Sequence, residues 1–298
     1  MKKIVAIVSF LVLFPIVSFG TELRMTMEND VFIQQDDDYT HGTEFEFITD
    51  DGWHYVLSQT MYAPGDLRET SHIKGDRPYC GMLLGGIGYE FSRDVKSNWS
   101  HYGEFNFGMI GPSARCKETQ TFVHKLLDCK KPMGWDNQLS DEFVVNGQWW
   151  TKYSFGLCDW VEFVPRAGAL VGTAQDAVEV GCDLRVGWNL RPSVGNDIMF
   201  SSPRGGVMGW LSRATAYAYV GVGERFWLYN HVLEGSLFGS RDGDLGVDIE
   251  RFVGEARCGF VLKAGGLFAT VYGVFREREF KGQARSPSYG GFGVGFEW

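Results

Sequence analysis

One stretch of the sequence combines a candidate catalytic histidine with the signals of a helix. Residues 113–137 open on Ser113, a residue type that often caps a helix, and proline and glycine in the region 132–134 stop the helical pattern. On this helix Gln120 and His124 stand four residues apart and therefore share a face. A neutral imidazole takes a proton from water near neutral pH, so His124 is a candidate general base. A single histidine on a surface helix is more often merely solvated, and the rest of the chain must decide between the two.

Polar loops supply a second set of candidate groups, whose oxygen atoms could hold a metal ion. The first loop contains Glu28, Asn29 and Asp30, then three aspartates at 36–38 and Thr40. Carboxylates, carbonyls and amide oxygens are the ligands that calcium takes. No stretch has the spacing of an EF-hand, so such a site would be assembled from separate loops. Taken alone, each of these pieces is more commonly a solvated loop or a turn.

A cation beside a histidine suggests ester hydrolysis. His124 would activate a water molecule, while the cation polarises the ester carbonyl and stabilises the oxyanion that forms. No serine stands in a Gly-x-Ser-x-Gly context, so a serine nucleophile is not indicated. No His-x-x-x-His or paired-cysteine spacing suggests zinc.

The elements that must position these groups are mostly strands. The helix is the exception, and it carries an apolar stripe of Phe122, Val123 and Leu126 on a different face from Gln120 and His124. Twelve segments have strand character. They are 21–28, 42–49, 52–62, 82–93, 99–110, 138–153, 157–171, 176–190, 212–227, 249–263, 267–278 and 288–298. An even number of strands, each of about ten residues, fits a closed barrel that crosses a bilayer.

The C-terminus favours such a barrel over a soluble β-sandwich. Phe292, Val294, Phe296 and Trp298 fall on one face of the last strand, with glycines and Glu297 on the other. The 39 glycines, 23 phenylalanines, 12 tyrosines and 10 tryptophans suit the aromatic girdles of a membrane barrel, although they would also fill a sandwich core. The sequence therefore predicts an all-β fold, a transmembrane antiparallel β-barrel of about 12 strands with a short helix in an extracellular loop.

The first twenty residues have the pattern of a cleaved signal peptide. Lys2 and Lys3 precede an apolar run over 4–17, and small residues stand at the expected cleavage site. We therefore expect residues 1–20 to be removed and residues 21–298 to form a single barrel domain in the bacterial outer membrane. Without Lys2 and Lys3, 26 basic side chains face 37 acidic ones, a net charge of −11. This balance argues against a nucleic-acid partner, because a phosphate-binding surface needs an excess of basic residues.

Strand parity places all the candidate groups at one end of the barrel. If the N-terminus lies in the periplasm, short turns fall at 50–51, 94–98, 154–156 and 264–266. The outer loops are then 29–41, 63–81, 111–137, 172–175, 228–248 and 279–287. Every polar stretch with candidate groups falls on the outer side. Segment 191–211 is a long connection on the side of the short turns, and the pattern does not explain it.

Several motifs in this order resemble the outer-membrane lipid A 3′-O-deacylase family. They are Glu-Asn-Asp at 28–30, Tyr-Thr-x-Gly at 39–42, Asp-Arg-Pro-Tyr-x-Gly at 76–81, Gly-Pro-Ser-Ala at 111–114, Gln-x-x-x-His at 120–124 and Gly-Trp-Asp-x-Gln-Leu at 134–139. The strand pattern is similar to the family's twelve-stranded barrel through to Trp298. The resemblance implies calcium-dependent hydrolysis of the 3′-linked acyloxyacyl group of lipid A, the anchor of lipopolysaccharide, in the outer leaflet.

The resemblance also implies roles for single residues. It makes His124 the general base and Gln120 its helix neighbour. Asn29, Asp30 and Thr40 become polar residues of the catalytic site that are also associated with the metal. A phosphate of lipid A would be met by either Lys74 or Arg77. The family pattern predicts an acid shortly after the histidine, and Asp128 is the one available here.

Two other functions remain open from the sequence. One is an outer-membrane phospholipase, which would be expected to carry a serine near the histidine's partners. The other is a non-enzymatic structural or adhesive barrel, in which calcium only stiffens the loops. The expected partners are lipid A and the lipids of the outer membrane, and we expect a monomer. The six cysteines are interpreted as free buried thiols, with a bridge between Cys116 and Cys129 or between Cys158 and Cys182 as the alternatives.

Overall fold

The computed structural model describes most of the chain. The described residues are 22–33, 38–91, 98–126, 128, 132–190, 194–197, 203–206, 214–238, 242 and 245–298. The predicted signal peptide, residues 1–20, lies outside them, as do Cys129 and two of the three aspartates at 36–38. No helix among the described residues is long and apolar enough to cross a membrane.

Antiparallel strands account for nearly all of the fold. In chain order they are β1 (Glu22–Asn29), β2 (Asp38–Ile48), β3 (Trp53–Ala63), β4 (Cys80–Glu90), β5 (Trp99–Ile110), β6 (Glu142–Tyr153), β7 (Phe155–Cys158), β8 (Val161–Gly172), β9 (Gln175–Trp188), β10 (Val194–Asp197), β11 (Pro203–Gly206), β12 (Thr215–Asn230), β13 (Phe252–Ala264), β14 (Leu267–Arg276) and β15 (Ser288–Glu297). Two α-helices accompany them in the described part of the chain. They are Cys116–Leu126, named here the loop helix, and the short helix His231–Glu234.

The sheet closes on itself into a barrel. β1 pairs with both β2 and β15, and β6 pairs with both β5 and β8. The short β7 follows β6 directly and pairs with the start of β8, so β6 and β7 together form one line of the wall. The described wall therefore has twelve strand positions, as predicted, and no edge is left open. β10 and β11 form a separate hairpin within the connection 191–211 that the sequence pattern left unexplained.

The two faces of the wall differ in the way that a membrane barrel requires. Inward side chains are polar and paired: Glu179 binds both Arg166 and Arg225, and Asp183 binds Arg257 at 2.7 Å. Outward side chains are apolar and exposed; they include Leu57, Ile87, Phe105, Phe143, Val180, Val222, Phe260 and Phe275. Val294, Phe296 and Trp298 of the predicted C-terminal face are among the exposed residues, while Phe292 is half-buried. An apolar exterior around a polar interior is the pattern of a barrel that spans the outer membrane.

The strand directions agree with the predicted division between loops and turns, except that the turn predicted at 154–156 lies at 159–160, because β7 continues the line of β6. β1, β3, β5, β8, β12 and β14 all end at the same end of the barrel, named here the loop end. The long connections 64–79, 111–141, 231–251 and 277–287 all lie there. At the opposite end, β2 joins β3 and β13 joins β14 through turns of a few residues.

The described cysteines are free, in agreement with that part of the prediction. The prediction that they are buried is correct for Cys80 and Cys116 but wrong for Cys158 and Cys258, which are exposed. Cys258 lies at an outward position of β13, where the surroundings are expected to be lipid. The alternative bridge between Cys116 and Cys129 involves a residue outside the described part of the chain.

Candidate active site on the outward face of the barrel wall

The loop helix lies against the outside of the barrel. Along β3 the side chains of Val56, Ser58 and Thr60 are buried on the inward side, so Gln59 points outward. Gln59 Nε2 donates a hydrogen bond to the Ala114 carbonyl at 2.7 Å, immediately before the helix. This contact places the start of the helix on the wall at the loop end.

Close approach of the helix depends on a glycine in β4. A Cβ atom at Gly81 would lie 2.7 Å from both Cβ and Sγ of Cys116, so any larger residue would push the helix away. Cys116 is buried and its thiol donates to the Thr60 carbonyl at 3.3 Å. Burial raises the pKa of the Cys116 thiol to about 12, so it stays protonated and acts as a donor.

The helix begins later than the sequence pattern predicts. Ser113 is not its N-cap: it lies in a 3-10 turn, Pro112–Ala114, and the helix starts at Cys116. Arg115 separates the two with a left-handed φ of 60°. The Ser113 amide and hydroxyl both bind the Asp141 carboxylate, at 2.6 and 3.0 Å, so Ser113 fastens the loop to the start of β6 instead.

Gln120 is fixed against the wall by a tryptophan. Its side chain is 3% exposed, and its Oε1 accepts a hydrogen bond from Trp135 Nε1 at 2.6 Å. Trp135 packs on the Tyr79 ring at 4.8 Å. Both rings belong to a small buried group under the helix, named here the loop cluster, which consists of Met61, Ala63, Leu67, Tyr79, Ala114, Cys116 and Trp135. The loop helix is therefore held by a core of its own, separate from the barrel interior.

His124 lies one turn beyond Gln120, in the last turn of the helix, and is half-buried. The spacing of four residues gives the two side chains a common face, as predicted. Phe122 and Leu126 of the apolar stripe are 61% and 71% exposed, so that stripe faces away from the wall. Asp128 is exposed just after the helix, with a left-handed φ of 54°, and its role as an acid that orients His124 stays a prediction.

The candidate wall residues lie at the loop end of β1 and in β2, the two strands that follow β3 around the sheet. Asn29 ends β1, and Asp30, 1% exposed, opens a 3-10 helix, Asp30–Ile33. Thr40 is the extra residue of a β-bulge in β2, since Tyr39 pairs with Tyr62 and His41 pairs with Met61. Bulges often re-aim a side chain beside an active site.

Two neighbours of these residues do not have the loop surroundings that the sequence suggests. Glu28 is not a free loop carboxylate: it accepts hydrogen bonds from the hydroxyls of Tyr39 and Tyr272 at 2.5 and 2.6 Å inside the barrel. His41 falls in the predicted outer loop 29–41, but it lies within β2, and its ring is 2.6 Å from the Thr43 hydroxyl. Because His41 is hydrogen-bonded within a strand, its replacement is a poor control for the replacement of His124.

The oxygen donors of the first loop fit calcium in kind. No group of three or more His, Cys, Asp or Glu side chains in the described part of the chain is arranged to hold a metal ion. The donors here are of mixed type: the buried Asp30 carboxylate, the Asn29 amide and the Thr40 hydroxyl. Thr40 Oγ1 is buried, and no described residue is its hydrogen-bond partner. Calcium takes such hard oxygens and fills further positions with carbonyls and water.

The two candidates for a phosphate contact have different surroundings. Lys74 is exposed in the second loop. Arg77 is 1% exposed, lies over the ring of Tyr62, and binds Glu279 at 2.5 Å. Glu279 also binds Arg276 at 2.9 Å. Burial alone would raise the pKa of the Glu279 carboxyl, but the charges of Arg77 and Arg276 lower it below its usual value.

We expect Glu279→Gln to destabilise the loop end of the barrel. A buried carboxylate shared by two guanidinium groups is removed, which typically costs about 3–5 kcal/mol. Because the folded-state pKa is lowered, the stability from Glu279 is present above its unfolded pKa and is lost as the pH falls through the folded value. At pH 7 the thermal midpoint of the native-to-denatured gel shift in detergent should therefore be lower for Glu279→Gln than for wild type. The difference between the two midpoints should become smaller in acid.

Asp248→Asn is the matched control for this prediction. Asp248 pairs with Lys281 at 3.8 Å in the neighbouring loops, but both side chains are well exposed. Exposed pairs contribute about 0–1 kcal/mol, so the midpoint should hardly move. Equal shifts of the thermal midpoint in the two variants would contradict the expectation that the buried ion pair stabilises the barrel more than the exposed one.

Sequence reasoning missed the residues that hold the site together. Trp135 and Gly81 were seen only as parts of motifs, and no role was given to Gln59 or Asp141. The signal that was available was Gly134 before Trp135: a Cβ there would lie 2.5 Å from the Tyr79 ring, so a glycine is needed where these rings meet.

Comparison with known proteins agrees with this fold. The family described as "Outer membrane protein LpxR" matches residues 48–298, which include the loop helix but not the first loop. The structure is similar to that of LpxR from Salmonella typhimurium, with a TM-score of 0.79, 20% identity, and coverage of 92% of this chain and 99% of that one. At that identity the similarity shows the fold alone.

A second solved structure gives a lower score, and the sequence matches no curated relative. The β domain of the Bordetella autotransporter BrkA gives a TM-score of 0.46 at 12% identity, covering 94% of this chain and 100% of that one. That score is too low to support an argument. The family match extends over most of the chain and completely covers ten of the twelve strand positions of the barrel. The chain therefore belongs to the LpxR family of outer membrane proteins.

Proposed function

We propose that this protein is a calcium-dependent hydrolase that removes the 3′-linked acyloxyacyl group from lipid A in the outer leaflet. The observation that carries the proposal is the position of the loop helix. The helix that carries Gln120 and His124 packs on the outward face of the wall, on the side of the membrane lipid and not of the barrel interior. A substrate that is itself a membrane lipid reaches such a site without leaving the bilayer.

The interior of the barrel favours an enzyme over a channel. Inside it Arg166, Glu179 and Arg225, from the three neighbouring strands β8, β9 and β12, form a buried ion-pair group. A cavity of about 20 Å³ between Tyr39, Arg77 and Trp227 has room for about one water molecule. These described side chains occupy interior space that an open channel would need, which favours an enzyme.

His124 provides the chemistry as a general base. It accepts a proton from water while the water oxygen attacks the carbonyl carbon of the ester. The bond between that carbon and the sugar-side oxygen then breaks, and the proton passes to the departing oxygen. The products are a carboxylic acid and the free 3′ hydroxyl of the sugar. When held by Asp30, Asn29 and Thr40, calcium would supply positive charge near the developing oxyanion.

The remaining charged candidate serves substrate binding. Lys74 is exposed in the second loop and can reach an anionic headgroup, so it is the better candidate for a phosphate of lipid A. Arg77 is committed to Glu279 inside the barrel and would have to leave a buried ion pair to do the same. We expect the protein to act as a monomer.

The proposal is tested by comparing lipid A from cells with and without the protein by mass spectrometry. The expected result is a new lipid A species that lacks the mass of the 3′ acyloxyacyl group. Unchanged lipid A with free fatty acid from phospholipid would indicate a phospholipase instead. No change in either lipid class would indicate a structural barrel.

A further inference from the structure

The amide of Gln120 has a fixed orientation, because only one of its two ends can meet Trp135. An indole N–H is a donor and never an acceptor. The atom 2.6 Å from Trp135 Nε1 must therefore be the oxygen Oε1, and the amide nitrogen Nε2 must lie on the other side. This assignment does not depend on how the two ends of the amide were placed.

The other end of the amide is a buried donor. Gln120 is 97% shielded from solvent, and no described residue accepts a hydrogen bond from its Nε2. A buried donor without an acceptor costs about 1–3 kcal/mol. A catalytic role, in which the reacting group supplies the acceptor, is one of the reasons for which native structures keep such a group. One turn along the same helix face stands His124, the proposed base.

Trp135 is itself firmly held. It packs on Tyr79, and its 3-10 turn, Trp135–Asn137, is joined to the helix by the ion pair of Lys117 with Asp136 at 2.5 Å. The side-chain Nδ2 of Asn137 donates to the Thr70 carbonyl at 2.6 Å. The indole N–H therefore has one position, and it fixes the amide in turn.

We propose that Trp135 is a positioning residue, which holds the Gln120 amide so that Nε2 donates a hydrogen bond to the carbonyl oxygen of the bound acyl ester. As water attacks, negative charge develops on that oxygen, and a donor fixed in advance stabilises it without reorganisation. Gln120 then touches the substrate, whereas Trp135 acts only through Gln120. This inference rests on the proposed ester hydrolysis.

The test uses Trp135→Phe, which keeps an aromatic ring on Tyr79 but removes the N–H. With purified full-length protein, purified lipid A and calcium, kcat should fall roughly 10- to 100-fold, because a misplaced donor loses much of its effect. KM should change by less than about two-fold, because the hydrogen bond strengthens only as charge develops.

The matched control is Trp150→Phe. Trp150 is also buried and also donates from its indole to a glutamine side chain, Gln148 Oε1, at 3.1 Å, but inside the barrel. Its replacement removes the same kind of hydrogen bond and should leave kcat unchanged. An equal loss in both variants would mean that any lost indole bond weakens the barrel, and it would overturn the proposal.

A double-mutant comparison separates positioning from mere structure. In a Gln120→Ala background, Trp135→Phe should cause no further loss of kcat, because Trp135 has nothing left to position. Should Trp135→Phe fail to fold, Gln120→Glu answers the same question. It keeps the oxygen that accepts from the indole and replaces the NH₂ donor with a second oxygen.

The outcomes are distinct from those that test the function itself. Wild-type protein that releases no acyl group from lipid A would contradict the proposed function. An active wild type whose Trp135→Phe and Gln120→Glu variants keep near-native kcat would contradict only the positioning role. A full, additive loss from Trp135→Phe in the Gln120→Ala background would also contradict it.

Discussion

Replacement of His124 by alanine is expected to lower the release of the 3′ acyl group by roughly 10²–10⁴-fold, the usual cost of losing a positioned general base. The imidazole is half-buried in the last turn of the loop helix, and the loop cluster that holds the helix does not include it. The variant should therefore fold, insert and bind calcium normally. Its activity is measured as the rate of acyl release from purified lipid A, and its folding as the change in gel mobility on boiling.

His72→Ala is the control for this prediction. His72 lies in the second loop, partly exposed, and no described contact links it to the loop helix. Its replacement should cost little. If the His124→Ala protein is correctly inserted and retains near-native turnover, the proposed mechanism fails, although the family assignment remains.

Removal of calcium is expected to abolish hydrolysis. Chelation takes away the positive charge near the oxyanion, and added calcium should restore the rate better than magnesium, which requires tighter octahedral geometry. Asp30→Asn removes the one buried carboxylate of the proposed donor set. It should raise the calcium concentration required for half-maximal activity by more than about 10-fold, since even indirect partners of a metal ligand are worth 10–100-fold.

Asp51→Asn serves as the comparison, because Asp51 is exposed in a turn at the opposite end of the barrel. Its calcium requirement should equal that of the wild type. Full activity in an excess of chelator would remove the metal from the mechanism. An unchanged calcium requirement in Asp30→Asn would mean that residues other than Asp30 bind the metal.

The barrel could be predicted from the sequence because its signals are local and repeated. Alternation along β15 places Val294 and Phe296 outward with glycines between them, and this pattern depends only on the pleat of one strand. Strand parity then fixes which connections share an end. The bulge at Thr40 could not be predicted, because it exists only in the pairing of β2 with β3.

The candidate site could be predicted only in part. The spacing of Gln120 and His124 gives a common helix face whatever the helix packs on. The face that meets the wall is decided by distant residues: Gly81 leaves space for Cys116, and Gln59 binds the chain before the helix. An apolar stripe usually marks the packed face of a helix, but Phe122 and Leu126 are exposed here. In a membrane protein lipid is an alternative neighbour for such residues.

Arg77 illustrates a second limit of sequence reasoning. An arginine in a polar loop beside a proline resembles an anion-binding residue, and nothing local indicates that it turns inward. Its partner, Glu279, is 202 residues away in sequence. Only the closure of the barrel brings the second loop and the last loop together.

The most direct measurement of the central claim is a reaction of purified protein with purified lipid A in detergent and calcium, analysed by mass spectrometry of both products. Wild-type protein should release the 3′ acyloxyacyl group as a carboxylic acid and leave a lipid A with a free 3′ hydroxyl, and His124→Ala should not. Intact lipid A after prolonged incubation with folded wild-type protein, or release of an acyl group from another position, would contradict the account.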